Sequence, residues 1–225
     1  MAKSLVLFLG IFVTSALLTA LLRRYALWAS VLDQPTDRSS HSTATPRGGG
    51  LAIVISFILA LAVYVYFTHG IPQEWLIVFA GCGGLVSAIG FVDDHRNVSA
   101  RVRFLVHVVA ALITVYLLFS PTQVQVLNIN FDPGVIGGAF AVLYMVWMTN
   151  LFNFMDGIDG IAGSQAAFVC MAASAICITS PMSSSAAVGS LSEILLALSF
   201  ASLGFLIWNW PPARIFMGDV GSGFL

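Results

Sequence analysis

Two adjacent aspartates, Asp93 and Asp94, follow the apolar run that ends Gly90-Phe91-Val92. Neighbouring like charges repel, and ionisable groups at membrane depth are expensive, so such a pair demands a cation. Asn150, Asn153, Asp156 and Asp159 recur every three residues. On a helix that spacing makes a broad polar stripe. Gly157, Gly160 and Gly163 run through the same stretch; they loosen or end a helix and let backbone approach a ligand. Asp219 lies in Phe216-Met217-Gly218-Asp219-Val220-Gly221-Ser222-Gly223, at an expected helix start whose N–H groups suit phosphate. Carboxylates and amides, with no Cys or His at ligand spacing, point to a hard cation. Mg²⁺ is the natural candidate, because it binds through one or two carboxylates plus substrate phosphates; Mn²⁺ is its expected substitute. The plain alternatives are ordinary loop polarity for the aspartates and a polar helix–helix seam for the asparagines. A seam, however, has no need of two carboxylates.

A basic stretch reads Arg38-Ser39-Ser40-His41, then Thr45-Pro46-Arg47-Gly48-Gly49-Gly50. His41, Arg47 and the glycine run before a helix can hold a phosphate. They can equally form a flexible basic loop against anionic lipid, and composition leaves both open.

The elements that position these groups must cross a membrane. The 225 residues are 59% hydrophobic and 8% charged, with a mean hydropathy of +0.95. A soluble domain carries roughly a quarter charged residues, so a water-soluble domain, a disordered chain and a nucleic-acid binder are excluded. Net charge is -1, which gives no field to gather a polyanion. Seven apolar runs predict seven helical spans, at about 4–22, 51–67, 75–92, 104–119, 135–151, 161–179 and 194–210. The fold class expected is an all-α polytopic membrane bundle forming one domain over residues 1–225. The first run is followed at once by Arg23 and Arg24, which fits a retained helix rather than a signal peptide. The loops after runs one, three and seven hold eight of the nine basic residues. The positive-inside rule puts those loops in the cytoplasm and the N-terminus outside. Seven of the eight aspartates lie on that same face. The cysteines, Cys82, Cys170 and Cys177, read as buried apolar thiols.

Other residues read as structural. His107, inside the fourth run, is expected to bridge helices. Trp147 is expected to pack, and Glu193 to start and cap the seventh span. The chain ends on Gly223-Phe224-Leu225, soon after an expected helix start, which reads as a fragment.

Four ordered motifs carry a family resemblance. They are Asp33-Gln34-Pro35 with Arg38, His41 and Pro46-Arg47-Gly48-Gly49-Gly50; Gly90-Phe91-Val92-Asp93-Asp94; Asn150-x-x-Asn153-x-x-Asp156-Gly157-Ile158-Asp159-Gly160; and Asn209 with Phe216-Met217-Gly218-Asp219-x-Gly221-Ser222. Together they resemble the polyprenyl-phosphate N-acetylhexosamine-1-phosphate transferases, across essentially the whole chain. The resemblance implies a polyprenyl (undecaprenyl) phosphate attacking the β-phosphorus of a UDP-N-acetyl sugar, with release of UMP. It implies Mg²⁺ on Asp219 and Asn153, and Asp93 and Asp94 handling the lipid phosphate or helping to hold the metal. Asp156, Asp159, Asn209 and Phe216 would line a uridine pocket, with Asn150, Gly218, His41 and Arg47 as further substrate-binding residues. The expected location is the inner (plasma) membrane, with the active site facing the cytoplasm. The expected partners are the UDP-sugar, the lipid phosphate, the bilayer and a second copy of the chain, with no nucleic acid. His95-Arg96-Asn97 after the aspartate pair, and the wording of the basic loop, resemble the O-antigen-initiating branch. The family's His-containing cytosolic motif falls beyond Leu225, so an inactive truncated paralogue is one alternative. A cation-coupled transporter is the other, because it too uses intramembrane carboxylates and broken helices.

Overall fold

The structure is a computed structural model that describes residues 2–34, 44–68, 71–118, 124–126, 129–131, 134–180 and 185–225. Helix α1 (Ala2–Trp28) leads into a two-residue clasp in which β1 (Leu32–Asp33) pairs antiparallel with β2 (Thr45–Pro46). Helix α2 covers Leu51–Thr68. Helix α3 (Gln73–Leu76) continues through a π-helical stretch, Ile77–Cys82, into α4 (Gly83–His95), making one rod. Then come α5 (Ala100–Leu118), a hairpin of β3 (Val124–Val126) and β4 (Ile129–Phe131), α6 (Gly134–Met155), α7 (Ile161–Thr179), α8 (Ala186–Asn209) and the single turn α9 (Asp219–Ser222).

Among the described residues six helices are long and apolar enough to cross a bilayer, so the molecule is a polytopic membrane bundle. The second expected run forms α2, a shorter apolar helix than those six. With 18 residues it rises roughly 27 Å, close to a hydrocarbon core of about 30 Å. One face of it is buried inside the protein, where Ala52, Ile53 and Phe57 are each 0% exposed. Helix α1 runs past its expected end. Arginine is a good helix former, and Arg23 Nε donates to the Arg214 carbonyl across the bundle end.

Two smaller expectations are corrected. Helix α8 begins at Ala186, so Glu193 sits two turns inside it and caps nothing. Trp147 is 66% exposed and lines an open apolar groove with Phe104 and Leu143; it faces outward rather than packing.

Helix α8 is the central post, with α1 and α7 along it and α2 beside it. Lipid tails are as apolar as leucine, so helix association in a membrane relies on small residues and interhelical hydrogen bonds. Ser15 Oγ donates to the Ala201 carbonyl at 2.6 Å, and Ser199 Oγ to the Ala167 carbonyl at 3.0 Å. Trp208 Nε1 donates to the Ala16 carbonyl at 3.0 Å. The C-terminal ends of α4, α6 and α8 and the starts of α5, α7 and α9 carry the motifs.

Candidate active site

The site grows from the stretch between α8 and α9. Ile215 and Met217 are each 0% exposed and belong to the main core, whereas Phe216 between them is half-buried. This is the alternation of an extended strand. Backbone bonds clamp it to the first loop: Phe216 N–H donates to Pro46 O at 2.8 Å, Gly49 N–H to Phe216 O at 2.9 Å and Gly50 N–H to Met217 O at 2.8 Å. Two N–H groups of the glycine run are therefore engaged with backbone. Arg47 reaches the other way, its Nη2 donating to the Asp94 carbonyl at 2.7 Å. His41 and Arg38 lie outside the described residues.

Four polar side chains then fix the turn that carries Asp219. Asp94 is 4% exposed. Its Oδ1 accepts the Asp219 N–H at 3.1 Å and its Oδ2 the Val220 N–H at 3.2 Å. These are first-turn donors of α9, so Asp94 caps that turn from another helix. Asp156 Oδ2 accepts the Gly218 N–H at 3.2 Å, and Asp159 Oδ2 the Ala213 N–H at 2.9 Å. Asn209 is 3% exposed; its Oδ1 accepts the Gly160 N–H and its Nδ2 donates to the Ile215 carbonyl, both at 3.0 Å. Gly218 closes the turn at φ +74°, where a Cβ would lie 2.6 Å from Asp94 Oδ2. Both the backbone sign and the space require glycine there.

Asp219 is thereby aimed at Asp93. The Asp93 carboxyl and the Asn153 amide both lie beside the Asp219 carboxyl and act on it electrostatically. Arg103, from the first turn of α5, joins the pair: its Nη1 donates to Asp93 Oδ2 at 2.7 Å and also to Asp219 Oδ2. Asp93 Oδ1 further accepts the Val98 N–H at 2.6 Å, which fixes the α4–α5 turn. Asp219 and Asn153, with Arg103, Asn150 and His107, line a cavity of about 200 Å³. Asn150 back-bonds to the Val146 carbonyl at 2.7 Å.

The sequence reading did not single out Arg103. Its signal was a cation, one of two with Arg101, in the first turn of an otherwise apolar helix that follows the aspartate pair. Removing it leaves two close carboxyls without their cation. Arg103→Gln is expected to lower the melting temperature of metal-free protein by about 3 °C, and added Mg²⁺ should recover most of that loss. Differential scanning fluorimetry with and without EDTA measures both.

Burial pushes the Asp219 carboxyl above its ordinary range; the neighbouring Asp93 carboxyl adds to this, while Asn153 and Arg103 oppose it. Burial likewise raises Asp156 well above 3.8, the Gly218 N–H pulls it down, and the charges of Asp94 and Asp219 push it up. A carboxyl with a raised folded pKa holds its proton more tightly in the fold. The fold therefore loses stability as pH rises from the unfolded value through the folded one. Asp156→Asn keeps an oxygen for Gly218 and removes the charge. It should raise the melting temperature at pH 7.5 by about 3 °C, and the gain should vanish at pH near 4.

A metal fits this donor set. Among the described residues no group of three His, Cys, Asp or Glu side chains is placed to hold an ion. Two carboxyls in contact plus an amide are an oxygen donor set of the size that Mg²⁺ uses when phosphates and water complete its shell.

Fold and site together define a polytopic membrane protein with an acidic, arginine-bridged polar centre at one end of its bundle. The glycosyl transferase family 4 model matches residues 75–225, and the chain belongs to that family. It is 32% identical over its whole length, and over 61% of the relative, to a probable undecaprenyl-phosphate N-acetylglucosaminyl 1-phosphate transferase of Bacillus subtilis. A phospho-N-acetylmuramoyl-pentapeptide-transferase of Staphylococcus carnosus is 29% identical over 97% of the chain and 71% of the relative. An undecaprenyl-phosphate alpha-N-acetylglucosaminyl 1-phosphate transferase of Thermotoga maritima is 28% identical over 95% of the chain and 60% of the relative. The chain thus spans about three fifths of the Bacillus and Thermotoga proteins.

Proposed function

We propose that the chain transfers an N-acetylhexosamine 1-phosphate from a UDP-sugar to a polyprenyl phosphate, starting a lipid-linked cell-surface polysaccharide. N-acetylglucosamine is the first sugar to test, because two of the relatives are named for it. The O-antigen role is the finer part of this reading, carried by the resemblance in the first loop and after Asp94. An oxygen of the lipid phosphate attacks the β-phosphorus, the bond between that phosphorus and the UMP oxygen breaks, and UMP leaves with the electron pair. Such transfer is achieved by positioning and charge neutralisation.

The observation that carries the reading is the Asp93–Asp219–Asn153 cluster at the wall of a cavity that Arg103 also lines. Asp219, Asn153 and Asp93 would hold Mg²⁺, which when bound supplies charge neutralisation at the pyrophosphate. Asp94, Asp156, Asp159 and Asn209 position the Asp219 turn, because their polar atoms are engaged with its backbone and flanks. Phe216 offers the half-buried ring between two buried neighbours, suited to stacking on a base. Arg47 steadies the α4 end through Asp94. The arginine-bearing face looks into the cytoplasm, where UDP-sugars are available.

The test is UMP release in detergent from undecaprenyl phosphate and a panel of UDP-N-acetyl sugars. It uses the 225-residue chain and forms extended at its C-terminus. Metal-dependent release abolished by EDTA supports the reading. No release from any form with any sugar overturns it, and cation uptake by vesicles bearing the protein would then favour a transporter.

A further inference from the structure

The ends of α1 and α8 bring arginines together without an acid to balance them. Arg23 and Arg24 lie near the end of α1, and Arg214 follows α8. The Arg23 Nε donates to the Arg214 carbonyl at 3.2 Å, across 191 positions of sequence. Arg214 is fixed in turn. Its N–H donates to the Trp208 carbonyl at 2.8 Å, and its guanidinium carbon stands 5.8 Å from the centre of the Trp208 ring. Among the described residues the ion pairs belong to Arg47 and Arg103, and none joins Arg23, Arg24 or Arg214 to a carboxylate. Asp159 reaches this stretch, but its Oδ2 accepts the Ala213 N–H at 2.9 Å. Like charges held together repel, so the arrangement calls for an anion.

The surroundings say what kind. Leu17, Leu21 and Arg24 are all exposed and recur at i, i+4 and i+7, so one face of α1 runs from apolar side chains to a cation. Tyr25 and Trp28 are exposed at the end of α1, and Ile207 and Trp210 at the end of α8. Amphipathic rings at span ends sit at the level of lipid headgroups. A soluble anion has no use for this apolar border. An anionic phospholipid matches both parts, with its phosphate on the arginines and its acyl chains along the helices.

We propose that the joined ends of α1 and α8 are a docking surface for the headgroup of an anionic phospholipid, held by Arg23 and Arg214 with Arg24 beside them. Arg23 keeps its Nη groups for the phosphate, because among the described residues only its Nε is engaged. The surface is separate from the aspartate cluster, whose cavity none of these three arginines lines. Residues 215–217 lead from Arg214 to the Asp219 turn, so a lipid held on Arg214 steadies that strand at its start. The proposal stands independently of the transferase reading, and its test uses no sugar nucleotide.

The test follows melting temperature in detergent while short-chain phosphatidylglycerol, short-chain phosphatidylcholine or inorganic phosphate is titrated in. Wild type, Arg23→Gln, Arg214→Gln and Arg101→Gln are compared; Arg101 is an exposed arginine of α5, outside the surface. Phosphatidylglycerol should stabilise wild type more than phosphatidylcholine or phosphate does, and added KCl should weaken the response. Its apparent affinity should fall about fivefold in Arg23→Gln and in Arg214→Gln, the effect of one arginine near an anionic surface. Arg101→Gln should keep the wild-type affinity. Native mass spectrometry of wild type needs no variant, and should show phosphatidylglycerol retained in preference to phosphatidylcholine. Equal responses of wild type to the two phospholipids, by either method, overturn the proposal. So does an equal loss in Arg101→Gln, which would mean general attraction to a basic face. A response to inorganic phosphate as large as that to phosphatidylglycerol also overturns it, since acyl chains would then have no part.

Discussion

Asp219→Asn should lower UMP release by about a thousandfold, the scale on which a preorganised electrostatic group at a reacting centre acts. The melting temperature should change by only about 2 °C. The contrast follows from how Asp219 is held. Its backbone N–H, not its carboxylate, makes the bond to Asp94 that builds α9, and asparagine keeps that bond. The carboxylate itself meets Asp93, Asn153 and Arg103. Asparagine keeps the shape and one oxygen but loses the charge that would hold a divalent cation. Activity at saturating Mg²⁺, read beside the melting curve, separates this from a folding defect. A variant retaining a tenth of wild-type turnover would remove Asp219 from the reaction.

Gly90→Val should prevent stable folding altogether. A Cβ at Gly90 would collide with the Asp219 carbonyl. Neither side can yield, because α4 is a continuous rod and the Asp219 turn is pinned by Asp94 and Asp156. Overpacking a rigid contact costs about 1–3 kcal/mol and sometimes more; here the obstacle is backbone, so the upper end applies. Gly84 on the same helix is the control, since a Cβ there meets nothing within 4 Å. Gly84→Ala should raise stability by roughly 1 kcal/mol through helix propensity alone. Yield of monodisperse protein in detergent, together with melting temperature, reads both variants. A well-folded, active Gly90→Val would contradict the close approach of α4 to α9.

Part of the candidate site was legible in the residue types. Asp93, Asn153 and Asp219 stood out because charge and amide groups interrupt apolar runs, and the structure brings those three together. Which carboxylates face the cavity was not legible. Asp94, Asp156 and Asp159 look equivalent to Asp219 in the sequence, yet each accepts a backbone N–H of the stretch 213–220. That distinction depends on how distant segments meet, and periodicity carries no information about it. Arg103 and His107 were hidden for a related reason. A cation at a helix start and a lone histidine on an apolar helix each have an ordinary explanation, and only the cavity between α5 and α6 joins them. The bundle itself was readable from apolar run lengths. Leu51–Phe67 is the shortest of these helices, and burial in protein and burial in lipid select the same side chains there.

The central claim is that the β-phosphorus of a UDP-sugar moves to a lipid phosphate at the Asp219 cluster. Its most direct test supplies UDP-N-acetylglucosamine labelled with ³²P at the β position, together with undecaprenyl phosphate and Mg²⁺, and follows the label. The account predicts that the label passes to the organic phase with the lipid, in equal amount to the UMP released, and that Asp219→Asn stops both. Label that stays in the aqueous phase as sugar phosphate while UMP appears would mean hydrolysis rather than transfer, and would contradict the account.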